Sequence, residues 1–322
     1  MFLDIIFLLI GLTLLILGAE WLVDGSSSIA RRAGLSEFLI GMTIVGIGTS
    51  MPELVVSLTG ALKGSADIAI GNVVGSNIFN VFLILGITAL IRPVEISKGN
   101  RRRDIPLNIA ACILLICFGM QHTLFGIGES DTINHLEGGI FLLLFVIYLI
   151  LSFRAGKAPG EEEVEAVAAP PRKLWIAVAM AVVGLVSLIY GGDLLVDSAC
   201  NIARMAGLSE KFVAITILAG GTSLPELVTC VVAAAKKKGA LALGNIIGSN
   251  ISNILLILGS SALACPLSFA HIKPIDLGVL MLSALALILS AWSGRNNRIG
   301  RWDATFFLLV FASYMTYHIM TI

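Results

Sequence analysis

The sequence predicts an all-α membrane protein: ten transmembrane helices in two inverted five-helix repeats, with discontinuous second and seventh helices. Three observations predict it. Of 322 residues, 57% are hydrophobic and only 13% charged, whereas soluble domains carry roughly 25% charge. The apolar residues gather in runs close to the roughly 20 that cross a bilayer. Residues 20–94 also align without a gap to 193–267, with about 37 of the 75 positions identical. This composition excludes a soluble globular domain and a disordered chain. With 21 basic against 21 acidic residues, it offers no electrostatic footprint for nucleic acid.

In order, the apolar runs span 2–23, 38–62, 68–91, 105–121, 138–153, 174–195, 212–235, 240–264, 274–293 and 303–321. The first, MFLDIIFLLIGLTLLILGAEWLV, has no basic n-region and no cleavage site, so it reads as a span and not a signal peptide. The second, third, seventh and eighth are interrupted by Gly and polar residues. One sizeable connection, 154–173, is polar and closes on Pro170 and Pro171. It separates a first half, 1–153, from a second, 174–322.

Lys and Arg accumulate in cytoplasmic loops. With the N-terminus outside, about 17 of the 21 basic residues fall inside, among them Arg101 to Arg103 and Lys236 to Lys238. Lys63, Arg204, Lys211 and Lys273 fall outside. The expected orientation therefore has both termini outside and the 154–173 loop in the cytoplasm, in a plasma (inner) membrane. The cysteines, Cys112, Cys117, Cys200, Cys230 and Cys265, form no CxxC pair and read as small apolar packing residues. His122, His135, His271 and His318 lie near span ends and read as interfacial groups.

The repeat carries the chemistry. GTSMPELV at 48–55 returns as GTSLPELV at 221–228, and GNVVGSNIFN at 71–80 returns as GNIIGSNISN at 244–253. An odd number of spans separates each match, so the halves enter the membrane in opposite orientations, as in many secondary transporters. Pro52 and Pro225 remove a donor and clash with the carbonyls of Gly48 and Gly221, breaking the helices in mid-membrane. Glu53 and Glu226 follow these prolines. Each carboxylate costs about 2.5–3.5 kcal/mol or more at that depth, and a cation between them offsets the cost. A pair of protonated glutamates bonded across helices is the plainer explanation of the same residues.

Thr49 and Ser50 lie four and three residues before Glu53, on its helical face, and Thr222 and Ser223 do the same for Glu226. Asn72, Ser76 and Asn80 form one polar stripe, repeated by Asn245, Ser249 and Asn253. Gly71/Gly75 and Gly244/Gly248 make GxxxG pairs that permit close helix packing. All these ligands are oxygens, which suits a hard cation such as Ca²⁺ and not a Cys–His metal. A passive cation channel could use the same oxygens. An intramembrane hydrolase would need an activated water beside the glutamates, and no His is placed to serve a Ser nucleophile.

At these motifs the sequence resembles the cation/calcium exchanger superfamily, and within it the prokaryotic sodium/calcium exchangers. The match covers both repeat blocks, about half the chain. The resemblance implies a secondary active antiporter, not an enzyme, that exchanges Na⁺ for Ca²⁺ by alternating access at a midplane site. It implies that Glu53 and Glu226 bind Ca²⁺ with the carbonyls of Thr49 and Thr222. Ser50, Ser76, Ser223 and Ser249, with the carbonyls of Gly46 and Ala219, would hold Na⁺. Asn80 and Asn253 would line the middle of the site, and the first and sixth spans would form the moving gate. The potassium-dependent branch carries Asp where Asn253 stands. The proton-coupled branch carries GNxxE, which is absent after Asn72 and Asn245. A proton-coupled divalent antiporter is the alternative. The expected partners are the two ions and the lipid bilayer, with no cofactor, no nucleic acid and no obligate protein partner.

Overall fold

The computed structural model describes residues 2–155, 172–207, 219–270, 272–293 and 297–321. The first half contains α1 (Phe2–Ala33), α2 (Glu37–Thr49), α3 (Met51–Leu62), α4 (Ala66–Ile91), α5 (Ile105–Gly119), α6 (Gln121–Phe125) and α7 (His135–Ala155). The second contains α8 (Leu174–Met205), α9 (Ala219–Gly221), α10 (Leu224–Ala235), α11 (Gly239–Ala264), α12 (Pro274–Ser293) and α13 (Arg301–Met320). Among the described residues, six helices are long and apolar enough to cross a membrane, and the bent pair α2–α3 makes a seventh span. The chain is an all-α, multi-pass membrane protein. Most of the 154–173 connection and residues 208–218, which include the first part of the seventh apolar run, lie outside the described residues.

Two helices run well past their apolar stretches. Hydropathy ends the first run near Asp24, but α1 continues to Ala33 and stops at Gly34, whose φ of +63° is the left-handed conformation of a helix terminator. The Leu35 amide then donates to the Ala30 carbonyl at 2.9 Å, which closes the cap. The second-half counterpart, α8, likewise reaches Met205, just before Gly207 at φ +82°. A charge ends a hydropathy window; only a cap or a breaker ends a helix.

α1 and α8 pack along a seam of small residues spaced by seven. Gly11 faces Gly191, Gly18 faces Gly184 and Gly25 faces Ala177. Numbers rise along one helix as they fall along the other, so the two run antiparallel. A Cβ on Gly18 would stand 2.8 Å from the Gly184 carbonyl oxygen, so the backbones are in direct contact. Gly244 and Gly248 of α11 similarly press on Phe38 and Met42 of α2. Gly71 and Gly75 of α4 meet no described atom within van der Waals distance, so the close packing expected of that GxxxG pair is confined to its second copy among the described residues.

At the centre stands α11, with 94% of its apolar window buried, against 22% for α1. Two short antiparallel pairings tie the halves at the loops. β1 (Val94–Glu95) joins β4 (Arg298–Ile299), and β2 (Thr132–Ile133) joins β3 (Leu267–Ser268). Val94, Ile133, Leu267 and Ile299 are buried there, so each clamp combines a ladder with an apolar plug. Each one pairs a loop of one half with a loop of the other.

Candidate cation site

The local sequence makes two matched helix breaks. α2 ends at Thr49, before Ser50 (φ −83°, ψ 9°), and α10 begins after Ser223 (φ −91°, ψ 9°), both serines in the sparsely allowed bridge region. Pro52 and Pro225 then occupy the first turns of α3 and α10, where a missing N–H costs nothing. The α2–α3 axis bends by 45°. The breaks put Glu53 and Glu226 in those same first turns, at the positive ends of the helix dipoles. Both glutamates are 1% exposed.

The two halves cross-link at this level. The Ser50 hydroxyl donates to Glu226 Oε1 at 3.0 Å, and the Ser223 hydroxyl donates to Glu53 Oε1 at 2.9 Å. Ser76 Oγ lies 3.2 Å from Ser223 Oγ. Each carboxylate is thus held by one hydroxyl from the opposite repeat. Glu53 Oε2 and Glu226 Oε2 are buried with no hydrogen-bond partner among the described residues.

A second tier comes from α4 and α11. Asn80 and Asn253 stand at the start of π-helical segments, Phe79–Leu85 and Asn253–Leu258. Such wide turns shift the helix register and recur at functional sites. Asn80 Nδ2 donates to Asn250 Oδ1 and Asn253 Nδ2 donates to Asn77 Oδ1, each at 3.0 Å. Asn80 Oδ1 and Asn253 Oδ1 remain buried without a donor. Four acceptor oxygens in two matched pairs therefore share one property. They are buried, and no described donor meets them.

The remaining expected residues support this set. Ser249 Oγ donates to the Gly46 carbonyl at 3.2 Å. Thr49 Oγ1 donates to the Val45 carbonyl at 3.0 Å and lies 3.2 Å from Asn245 Oδ1. Asn245 Nδ2 donates to Cys230 Sγ at 3.3 Å, so Cys230 is a polar partner as well as a packing group. Asn72 Nδ2 donates to the Glu53 carbonyl at 3.2 Å and to Ser57 Oγ at 2.9 Å. Asn72 and Asn245 thus brace the helices and leave the central oxygens to others. Thr222 Oγ1 lies 3.5 Å from Asn72 Oδ1. Ala219 opens α9, directly after the undescribed segment. Among the described residues, no group of three or more His, Cys, Asp or Glu comes together.

Asn77 and Asn250 do not belong to the polar stripes, because each lies one residue beyond Ser76 or Ser249 and falls off the every-fourth-residue face. The signal that could find them is the repeat itself, which keeps Asn at both. Beside the site, a cavity of about 280 Å³ is lined by Pro52, Gly192, Asp193, Asp197, Thr222 and Pro225 among others. It lies against both breaks and α8.

Buried carboxylates in a polytopic helical protein, contributed by two broken helices and ringed by neutral oxygens, define an ion-transport class of protein. The chain belongs to the sodium/calcium exchanger protein family, which matches residues 3–154 and 176–320. That family consists of transporters, not enzymes. The chain is 40% identical to the putative antiporter CaxA of Alkalimonas amylolytica over 96% of both chains. It is 32% identical to the sodium/calcium exchanger MaX1 of Methanosarcina acetivorans over 97% of both. A solved structure of the sodium-calcium exchanger NCX_Mj, soaked with 10 mM Na⁺ and zero Ca²⁺, matches with a TM-score of 0.84 at 33% identity, covering 98% of both chains.

Proposed function

We propose that the protein is a secondary active antiporter that exchanges Na⁺ for Ca²⁺ across the plasma (inner) membrane by alternating access. The observation that carries this reading is the set of four donor-free buried oxygens, Glu53 Oε2, Glu226 Oε2, Asn80 Oδ1 and Asn253 Oδ1. Acceptors buried without donors are costly unless a cation meets them. Ca²⁺ takes about 6–8 oxygens in flexible geometry, and the two carboxylates neutralise its charge. Thr49 and Thr222 would complete its shell through their carbonyls. Na⁺ would use the same carboxylates with Ser50, Ser76, Ser223, Ser249 and the carbonyls of Gly46 and Ala219. Sharing the glutamates makes the two ions compete, and competition at one site couples their movements.

The architecture in this proposal is ten spans in two inverted halves, 1–153 and 174–322, joined by the cytoplasmic 154–173 loop, with both termini outside. The antiparallel glycine seam between α1 and α8 is its main support and suits a pair that slides as one gate. At the inner end of α1, Asp24 pairs with Lys236 and Lys238, each at 3.1 Å. Its repeat counterpart Asp197 lines the cavity instead. The two repeat-related aspartates thus stand in different surroundings, an ion-paired cluster and a cavity wall.

The test is calcium uptake into proteoliposomes loaded with sodium. Uptake should require internal sodium and persist when potassium and pH are varied separately. Uptake without any sodium gradient would instead mark a channel, and uptake driven by a proton gradient alone would mark the proton-coupled alternative.

A further inference from the structure

Asn80 and Asn253 can serve a cation only if their amides point the right way. A primary amide presents an acceptor on one side and two donors on the other, and the two orientations have nearly the same shape. Turned over, each would direct N–H groups at the ion. Something must therefore set the orientation, and the ion itself cannot do so during the part of the cycle when it has left.

We infer that Asn77 and Asn250 are positioning residues that hold the Asn253 and Asn80 carbonyl oxygens toward the cation. The strongest support is a relay anchored on the main chain. Asn77 Nδ2 donates to the Asn250 main-chain carbonyl at 3.3 Å. A peptide carbonyl cannot exchange donor for acceptor, so this bond fixes which end of the Asn77 amide is which. Asn77 Oδ1 then faces Asn253 and accepts from its Nδ2 at 3.0 Å. Asn253 Oδ1 is left buried and donor-free. On the other side of the repeat axis, Asn250 Oδ1 accepts from Asn80 Nδ2 at 3.0 Å, which leaves Asn80 Oδ1 in the same condition. Each clasp joins α4 to α11, and in the anchored one the Asn77 amide of the first half fixes the orientation of the Asn253 amide of the second.

All four asparagines are buried, with exposures of 1% or 2%. At that depth bulk water does not stand in for a missing partner. The proposed role is specific: Asn77 and Asn250 touch no ion, and they act by determining which atom of the next amide does. This inference rests on the cation-site reading above and deepens it.

A carboxylate supplies the discriminating test, because aspartate presents an oxygen whichever way it turns. The Km for Ca²⁺ and the maximal rate are measured by sodium-driven uptake in proteoliposomes for native protein, N77A, N253D and the double variant. Releasing the Asn253 amide in N77A should raise Km about tenfold, the scale of one buried hydrogen bond. In the N253D background the same N77A change should alter Km by less than about twofold, because no amide remains to be oriented. Equal factors in both backgrounds, or no change of Km on N77A, would overturn the positioning role while leaving the site intact. If N253D, E53Q and E226Q all leave Km and sodium dependence unchanged, the cation site falls and the inference falls with it. Should N77A fail to yield a monodisperse protein, N250A against N80D reads the same cycle on the opposite clasp.

Discussion

Two glutamates at 1% exposure, each holding one hydroxyl donor and presenting one bare oxygen, set the terms at the scale of single residues. Glu53→Gln or Glu226→Gln preserves shape and removes a charge that nothing else in the site replaces. Each should lower sodium-driven calcium uptake by at least about a hundredfold, the scale of one charge-assisted interaction in an apolar setting. The serines test the symmetry. Ser50→Ala and Ser223→Ala delete equivalent donors to opposite carboxylates. Their Km values for Ca²⁺ should rise by factors that agree within about threefold, since each removes one hydrogen bond to a charged group. Widely unequal factors would show that one repeat alone handles calcium. The two glutamates of the candidate site stand out in the sequence, because Pro-Glu pairs inside apolar runs break two local rules at once. Asn77 and Asn250 do not, because their partners lie on the facing helix of the other half, and periodicity within one helix carries no such information.

Helices are where glycine spacing turns into packing, and a neighbouring pair on α7 separates the two meanings of glycine. A Cβ on Gly138 would stand 2.8 Å from the Leu263 amide nitrogen, whereas one on Gly139 meets nothing within van der Waals distance. Gly138→Ala should therefore destabilise the protein by roughly 1–3 kcal/mol through overpacking against α11. Gly139→Ala should be neutral or stabilising by about 0.5–1 kcal/mol through helix propensity. Thermal unfolding in detergent checks both, and equal shifts would contradict the packing described. Hydropathy places most helices within a few residues. It shortens α1 and α8 because polar residues such as Asp24 and Asp197 end a hydropathy run without ending a helix. The seven-residue glycine seam between those helices is present in the letters, yet its meaning requires the partner helix to be in place.

For the molecule as a whole, the proposed inverted repeat makes a claim about orientation that labelling can test. Under the proposed orientation, with both termini outside, the 126–131 loop lies outside and the 97–99 loop inside. In a background lacking accessible native cysteines, Glu129→Cys should react with a membrane-impermeant thiol reagent on intact cells. Lys98→Cys should react only after permeabilisation, and the reverse pattern would invert the topology. The loop clamps and the antiparallel α1–α8 seam brace one half against the other. Neither clamp is legible in the sequence, because two-residue strands have no periodicity to detect and their pairing crosses most of the chain. The central claim is that one buried oxygen cluster serves both ions. Calorimetric titration of Ca²⁺ into the purified protein at rising Na⁺ tests it most directly. Calcium binding should weaken steadily as sodium increases and disappear in Glu53→Gln and Glu226→Gln. Calcium binding indifferent to sodium, or intact in both variants, would contradict it.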